Sequence, residues 1–284
     1  MAVDQSDLKT PFVNLNSMGA CDVTFTAKDV MDLRQKTGLG MMDCKKALNE
    51  KAGDLAAAEE WLRETRKDKM STRTERATAE GRIGIVVDGS QAVIVEVLTE
   101  TDFTARNDKF VEMVEGVAQA AISQPAGDVA PDAAMTALID DQRITTGENV
   151  NFGRGQKIEG GSFGSYLHHD GKRACLIQVE GDIDDSTLKG ICQHIVFHDP
   201  MGIGPEDVPA DKIEQIRTDA QAEAEATGKP AEIAQKMADG KVRKFLQECT
   251  LLAQKYVLDE SKRVEDMLPD GAKIKAFVRY TLGG

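Results

Sequence analysis

The apolar positions of this chain change period along its length, and each change marks an element. "TAKD" at 26–29 suits a helix start, with Thr26 as the cap and Asp29 returning toward it. Val30, Leu33 and Thr37 then fall at helical spacing, and Gly38 supplies a stop. "GLGMMDCKKALNEKAGD" reads as a tight turn and a second short helix closed by Gly53. Asp54 caps a third helix, in which Leu55, Ala58 and Leu62 share a face. These helices make a small bundle over 23–64. The polar, locally basic stretch 65–80 reads as a solvated connector. Residues 1–22 read as an N-terminal extension.

Beyond residue 80 the period switches to two, and the pattern occurs twice. "GRIGIVVDGSQAVIVEV" (81–97) parallels "GSFGSYLHHDGKRACLIQV" (161–179). Gly81, Ile83 and Gly84 match Gly161, Phe163 and Gly164, and Asp88-Gly89 matches Asp170-Gly171. Val93, Ile94, Val95 and Val97 match Cys175, Leu176, Ile177 and Val179. Each copy predicts an antiparallel hairpin turning at Asp-Gly, the second with His168 and His169 added before its turn. Helical sequence follows each hairpin, Asp108 to Ile122 and Ser186 to His198. A third strand closes each unit, near 148–156 and 273–282. The expected class is α+β: an N-terminal three-helix bundle, then core subdomains at 81–160 and 161–284, each with a three-stranded antiparallel sheet. "GKP" at 228–230 splits an insertion at about 209–247 into a helical hairpin within the second.

Composition narrows the function. With 284 residues, 41% hydrophobic and 29% charged, the chain has enough material for a sizeable core. A net charge of -13 and 5% aromatics argue against direct nucleic-acid binding, which needs a basic surface or stacking platforms. The five scattered cysteines include no CxxC pair and fit reduced thiols. No run approaches the ~20 apolar residues of a membrane span. The acid-bearing first residues offer no secretory leader, so a cytoplasmic protein is expected.

Candidate chemistry is sparse. His194 and His198 lie four apart on one helix face, a spacing that can hold a metal. No third ligand accompanies them, so a packed or capping pair is the favoured reading. There is no Walker lysine loop, no GxGxxG after a strand and no GxSxG. Glycines 153, 155, 160, 161 and 164 read as strand punctuation. No active site, cofactor or metal is expected. Met41 and Met42 are adjacent on a helix and cannot both face one core, so one buried and one exposed is expected. In "TDFTARN" (101–107), Phe103 stands between Asp102 and Arg106 where a strand ends. It is either a plug over the local core or a wedge for another protein.

With "LRQKTGLGMMDCKKAL" (33–48) and "TDFTARN" both in view, the chain resembles the elongation factor Ts family, the guanine nucleotide exchange factors of elongation factor Tu. The family pattern R-x-x-T-G-x-G-x-M-D-C-K-K-A-L matches Arg34, Thr37, Gly38, Gly40 and Met42 through Leu48. The second signature, TDFVA followed by Arg or Lys, matches Thr101, Asp102, Phe103, Ala105 and Arg106. It departs at Thr104, where Val is usual and where the added hydroxyl needs a partner or water. "GSY" with a nearby histidine matches Gly164, Ser165, Tyr166 and His168, and "KPAEIAQKM" (229–237) matches the family's helical insertion. The likeness covers about 23–283.

The resemblance implies a ubiquitin-associated-like bundle and a translation elongation factor with no chemical active site. It implies binding to elongation factor Tu with GDP bound and without nucleotide. Asp102 and Phe103 would insert between helices of the partner's nucleotide-binding domain and disturb its magnesium and phosphate site. His168 would contact the same region, and Arg34, Met41 and Met42 would dock the bundle. Two rivals predict different behaviour: an adaptor that only docks through its bundle, and a metal-dependent hydrolase built on His194 and His198.

Overall fold

The computed structural model describes residues 25–71 and 75–283, so the expected extension 1–22 lies outside them. The chain divides near residue 70 into two compact units, Met1–Lys69 and Met70–Gly284.

The first unit contains α1 (Ala27–Thr37), α2 (Met41–Glu50) and α3 (Leu55–Ser71). Thr26 and Asp29 form the expected reciprocal cap: the Thr26 N–H donates to Asp29 at 2.6 Å, and the Asp29 N–H to the Thr26 hydroxyl at 3.4 Å. Gly38 ends α1 in the left-handed conformation, φ 71°. Asp54 accepts the N–H groups of Ala56 and Ala57, satisfying free donors at the start of α3. Val30, Leu33, Leu39, Cys44, Ala47, Leu48, Ala58 and Leu62 form the core. The expected connector boundary at 65 is corrected. The stretch after Glu64 holds strong helix formers and neither Gly nor Pro, so α3 continues to Ser71.

In the second unit, β1 (Glu80–Asp88) and β2 (Gln91–Thr99) make the first hairpin, followed by the single-turn α4 (Asp102–Ala105) and by α5 (Asp108–Ala121). After β3 (Gly127–Asp128) and α6 (Ala133–Thr146), β4 (Asn151–Glu159) completes a sheet of order β1-β2-β4-β3. The second copy brings β5 (Ser162–Leu167), β6 (Arg173–Glu180) and α7 (Asp185–His198). The helical hairpin α8 (Ala210–Ala226) and α9 (Ala231–Cys249) follows, then a ribbon of β7 (Lys255–Tyr256) and β8 (Asp259–Arg263). β9 (Lys273–Thr281) closes a sheet of order β5-β6-β9.

The first sheet thus carries β3, a two-residue addition beyond the three expected strands and too short to leave a periodic signal. α6 was also not foreseen, although its end signals are present: Asp132 accepts the Met135 N–H at 2.9 Å, and Gly147 stops the helix at φ 73°.

The duplication holds in register. Gly84 faces Val95 and Gly164 faces Ile177, and both central strands slip register just before the matched Val97 and Val179. The two glycines serve one purpose. A Cβ on Gly84 would lie 2.9 Å from the Val114 Cγ1 and 3.1 Å from its carbonyl oxygen. One on Gly164 would lie 2.8 Å from the Leu188 Cβ. A bare backbone at these points lets α5 and α7 seat closely on their sheets.

β2 is buried on both faces. Val93, Val95 and Val97 pack on Phe110, Val114 and Val117 of α5 and on Met135 and Ile139 of α6. Ala92 and Ile94, with Ile83, pack on Ala174, Leu176, Val278 and Tyr280 of the other sheet. That sheet turns Cys175, Ile177 and Val179 toward Leu188, Ile191 and Ile195 of α7. The result is four layers, helix, sheet, sheet and helix. Buried Glu96 pairs with Arg154 at 3.0 Å. The Arg154 guanidinium lies 4.3 Å from the Tyr280 ring centroid and donates to the Thr281 carbonyl at 2.9 Å, tying the two sheets together.

Gly84→Ala is expected to destabilise the second unit by about 1–3 kcal/mol, because the new methyl meets Val114 main chain. A fall in the urea midpoint measures it. Gly240→Ala in α9, where a Cβ meets nothing, is expected to stabilise by up to about 1 kcal/mol.

Candidate functional site

The loop leaving β2 shows that Phe103 is not a plug over the local core. Thr99, the last residue of β2, is buried. Thr101 has extended backbone and caps α4, its hydroxyl accepting the Thr104 N–H at 3.3 Å. The Ala105 N–H donates to the Thr101 carbonyl and the Arg106 N–H to that of Asp102. This single turn points Thr104 and Ala105 inward, where both are buried, and leaves Phe103 85% exposed. The ring is not part of its own core. Asp102 and Arg106 pair at 3.1 Å across the exposed side of the turn. Asn107 then caps α5 through the Lys109 N–H at 2.9 Å.

Beneath α4 lies a carboxylate that no motif announced. Gly147 ends α6, and the next residue, Glu148, reaches the wedge loop. Its Oε1 accepts the Thr101 hydroxyl at 2.7 Å. Its Oε2 accepts the Thr99 hydroxyl at 2.9 Å and the Thr101 N–H at 3.1 Å. Burial alone would raise the Glu148 pKa. Hydrogen bonds from the Thr101 and Thr99 hydroxyls and the Thr101 N–H outweigh it and hold the group below its ordinary value. The neighbouring backbone is pinned as well: the Asn149 N–H donates to Glu100 at 2.6 Å, and its side-chain amide to the Arg76 carbonyl at 2.7 Å.

The second hairpin turn comes alongside. The Ile83 N–H donates to the Gly171 carbonyl at 2.9 Å, seating that turn on β1. Between them opens a cleft of about 330 Å³, lined by Asp102, Ala105 and Arg106 on one side and by Arg82, His169 and Lys172 among others on the rest. His168 sits on the same turn with its Nδ1 on the Tyr166 hydroxyl at 2.8 Å, while His169 is the histidine that lines the cleft. The fold places Asp102, Ala105 and Arg106 beside the turn that carries His168 and His169, and adds Arg82 and Glu148 to their surroundings.

In the first unit Arg34 is exposed. Met41 and Met42 are both exposed, 51% and 76%, which corrects the expectation that one would be buried. They open α2 ahead of its packed positions, and Cys44, Ala47 and Leu48 carry that helix's share of the core. Met31 on α1 is exposed too.

His194 is fully buried. Its Nδ1 accepts the Val257 N–H at 3.1 Å, so its Nε2 carries the proton donated to Gln254 at 2.9 Å. With both nitrogens engaged and the His198 ring stacked at 4.5 Å, it is a packed core histidine and offers no lone pair to a metal. Among the described residues no cluster of three His, Cys, Asp or Glu side chains could hold a metal, and no helix is long and apolar enough to cross a membrane. Phe197, 73% exposed near the end of α7, is a second outward aromatic that sequence reasoning missed.

Comparison with known proteins gives consistent matches over both units. A family model described as "Elongation factor TS" matches residues 100–284, and one described as "Elongation factor Ts, mitochondrial, N-terminal" matches residues 15–69. The chain is 38% identical over 268 residues to an elongation factor Ts of Psychrobacter sp. (strain PRwf-1), covering 91% of each chain. It is 37% identical over 288 residues to that of Bartonella tribocorum, covering 92% of this chain and 94% of the relative. It is 39% identical over 268 residues to that of Rhizobium johnstonii, covering 87% of each.

Burial pushes the His194 pKa down to about 4, with His198 opposing a charge there and the Gln254 bond only partly offsetting it. The unfolded chain therefore binds a proton at this site that the folded chain refuses between about pH 6.5 and 4. Stability from this site is complete above about pH 6.5 and declines as the pH falls toward 4. Urea titrations at pH 7 and pH 5 are expected to show that loss, and His194→Gln is expected to reduce the difference.

Proposed function

Because the chain belongs to the elongation factor Ts family, and so to the translation elongation factors, we propose that it is a guanine nucleotide exchange factor that binds elongation factor Tu and releases its GDP. The observation that carries this reading is Phe103, a large apolar side chain held in solvent by a turn whose neighbouring residues are anchored. Leaving an aromatic exposed on a fixed turn has a rationale when another protein completes its burial.

The energetics follow from linkage. A factor speeds GDP release only if it binds the nucleotide-free partner more tightly than the GDP form, and GDP then weakens the factor by the same ratio. Burying a Phe side chain contributes roughly 1.5–3 kcal/mol. A pocket between partner helices that opens only as the magnesium and phosphate site loosens directs that energy to the nucleotide-free state. Asp102 and Arg106 flank the ring in sequence and, with His169 of the second hairpin turn, line a polar cleft that can receive the displaced partner segments. Arg34, Met41 and Met42 give the bundle an exposed docking face, with flexible methionine suited to a partner surface. No bond is made or broken, so the protein works in the cytoplasm without a chemical active site, cofactor or direct nucleic-acid contact.

Phe103→Ala is expected to slow stimulated GDP release by roughly 10- to 100-fold, the kinetic equivalent of the lost burial. Its melting temperature should stay unchanged, since the ring leaves solvent and not the core. Release of a fluorescent GDP analogue from elongation factor Tu measures the first and calorimetry the second. Undiminished release would remove the wedge. Binding without any acceleration by the wild-type protein would leave an adaptor that docks through its bundle.

A further inference from the structure

We propose that Glu148 is the positioning residue that fixes the angle at which Phe103 is presented. The proposal rests on the exchange reading for its functional consequence and on the geometry alone for the clamp itself.

A four-residue helix cannot hold its own shape, because one turn fixes several dihedral angles for very few hydrogen bonds. α4 needs an external anchor, and the carboxylate supplies it through a connected chain. Gly147 ends α6 in the left-handed conformation and delivers Glu148 under the loop. Glu148 receives the Thr101 hydroxyl proton, which leaves the lone pairs of that oxygen for the Thr104 N–H at the start of the turn. The same carboxylate holds the Thr101 N–H and the hydroxyl of Thr99 at the end of β2. The turn that carries Phe103 is thereby tied, by charge-assisted bonds, to the last residue of the buried central strand.

Glutamine at 148 keeps the length and shape but replaces one acceptor oxygen with an NH2 donor. That donor would face hydroxyl and amide donors already in place, leaving part-buried groups unmatched. The ion pair of Asp102 and Arg106 cannot substitute, because both groups lie on the turn itself and are exposed.

The test compares wild-type protein and Glu148→Gln by amide hydrogen exchange and by stimulated GDP release from elongation factor Tu. In Glu148→Gln the amides of Thr104, Ala105 and Arg106 are expected to exchange roughly tenfold faster while those of Val93 and Val95 keep their protection. The maximal stimulated rate should fall about tenfold while the concentration giving half the effect stays within about twofold, since the docking surfaces are intact. Protection lost equally across the second unit would make Glu148 a general stability residue and overturn the proposal. Unchanged α4 exchange together with unchanged release would overturn it as well. Faster α4 exchange in Glu148→Gln, with no acceleration of release by the wild-type protein, would uphold the clamp and overturn the exchange reading.

Discussion

The central strand β2 has no polar face, and the second unit is organised around that constraint. Val93, Val95 and Val97 need one apolar layer, and Ala92 and Ile94 need another. Helices α5 and α6 provide the first. The second comes from the other sheet, whose own apolar back would otherwise lie in water. Each copy of the duplicated unit supplies the layer the other lacks. The paired charges of Glu96 and Arg154, with Tyr280 beneath them, lie at this junction. Only the carboxylate is buried, and leaving it unpaired would be costly, so the pair helps to fix the sheets' mutual position.

Both halves of the candidate site descend from that packing. Thr99 is buried at the end of β2, so the loop that follows starts from a rigid point. Two residues later α4 buries Thr104 and Ala105 and turns Phe103 outward. The contact between sheets also carries the second hairpin turn to β1, where the Ile83–Gly171 hydrogen bond seats it. His169 arrives beside Asp102 and Arg106 through the fold's core contacts, not through any local sequence relation. Arg34, Met41 and Met42 belong to a separate unit and are displayed by a core of their own.

Much of this was legible in the residues. The cap at Thr26, the stops at Gly38 and Gly53, the duplicated hairpins and the split at "GKP" each rest on local chemistry, and local chemistry survives folding. The exposure of Phe103 was only half legible, since an aromatic at a strand end suits a plug as well as a wedge. Only burial of its neighbours decides the matter. Glu148 was not legible, because its partner Thr101 lies 47 residues away and a carboxylate after a helix stop carries no pattern. The exposed Met41 and Met42 pair was misread for a related reason. Helical spacing shows that two adjacent residues cannot share a core, but not that the helix begins before its packed face does. β3 is too short to show a period, and α6 was passed over although Asp132 and Gly147 bracket it.

The most direct measurement follows the ring itself. Trp61 is the sole tryptophan, so a Trp61→Phe protein carrying Phe103→Trp reports from position 103 alone. The account expects solvent-like emission from the free protein. On mixing with nucleotide-free elongation factor Tu, a blue shift should appear, and excess GDP should reverse it. Emission that stays solvent-like in a demonstrated complex, or a shift indifferent to GDP, would contradict the claim that this side chain distinguishes the two states of the partner.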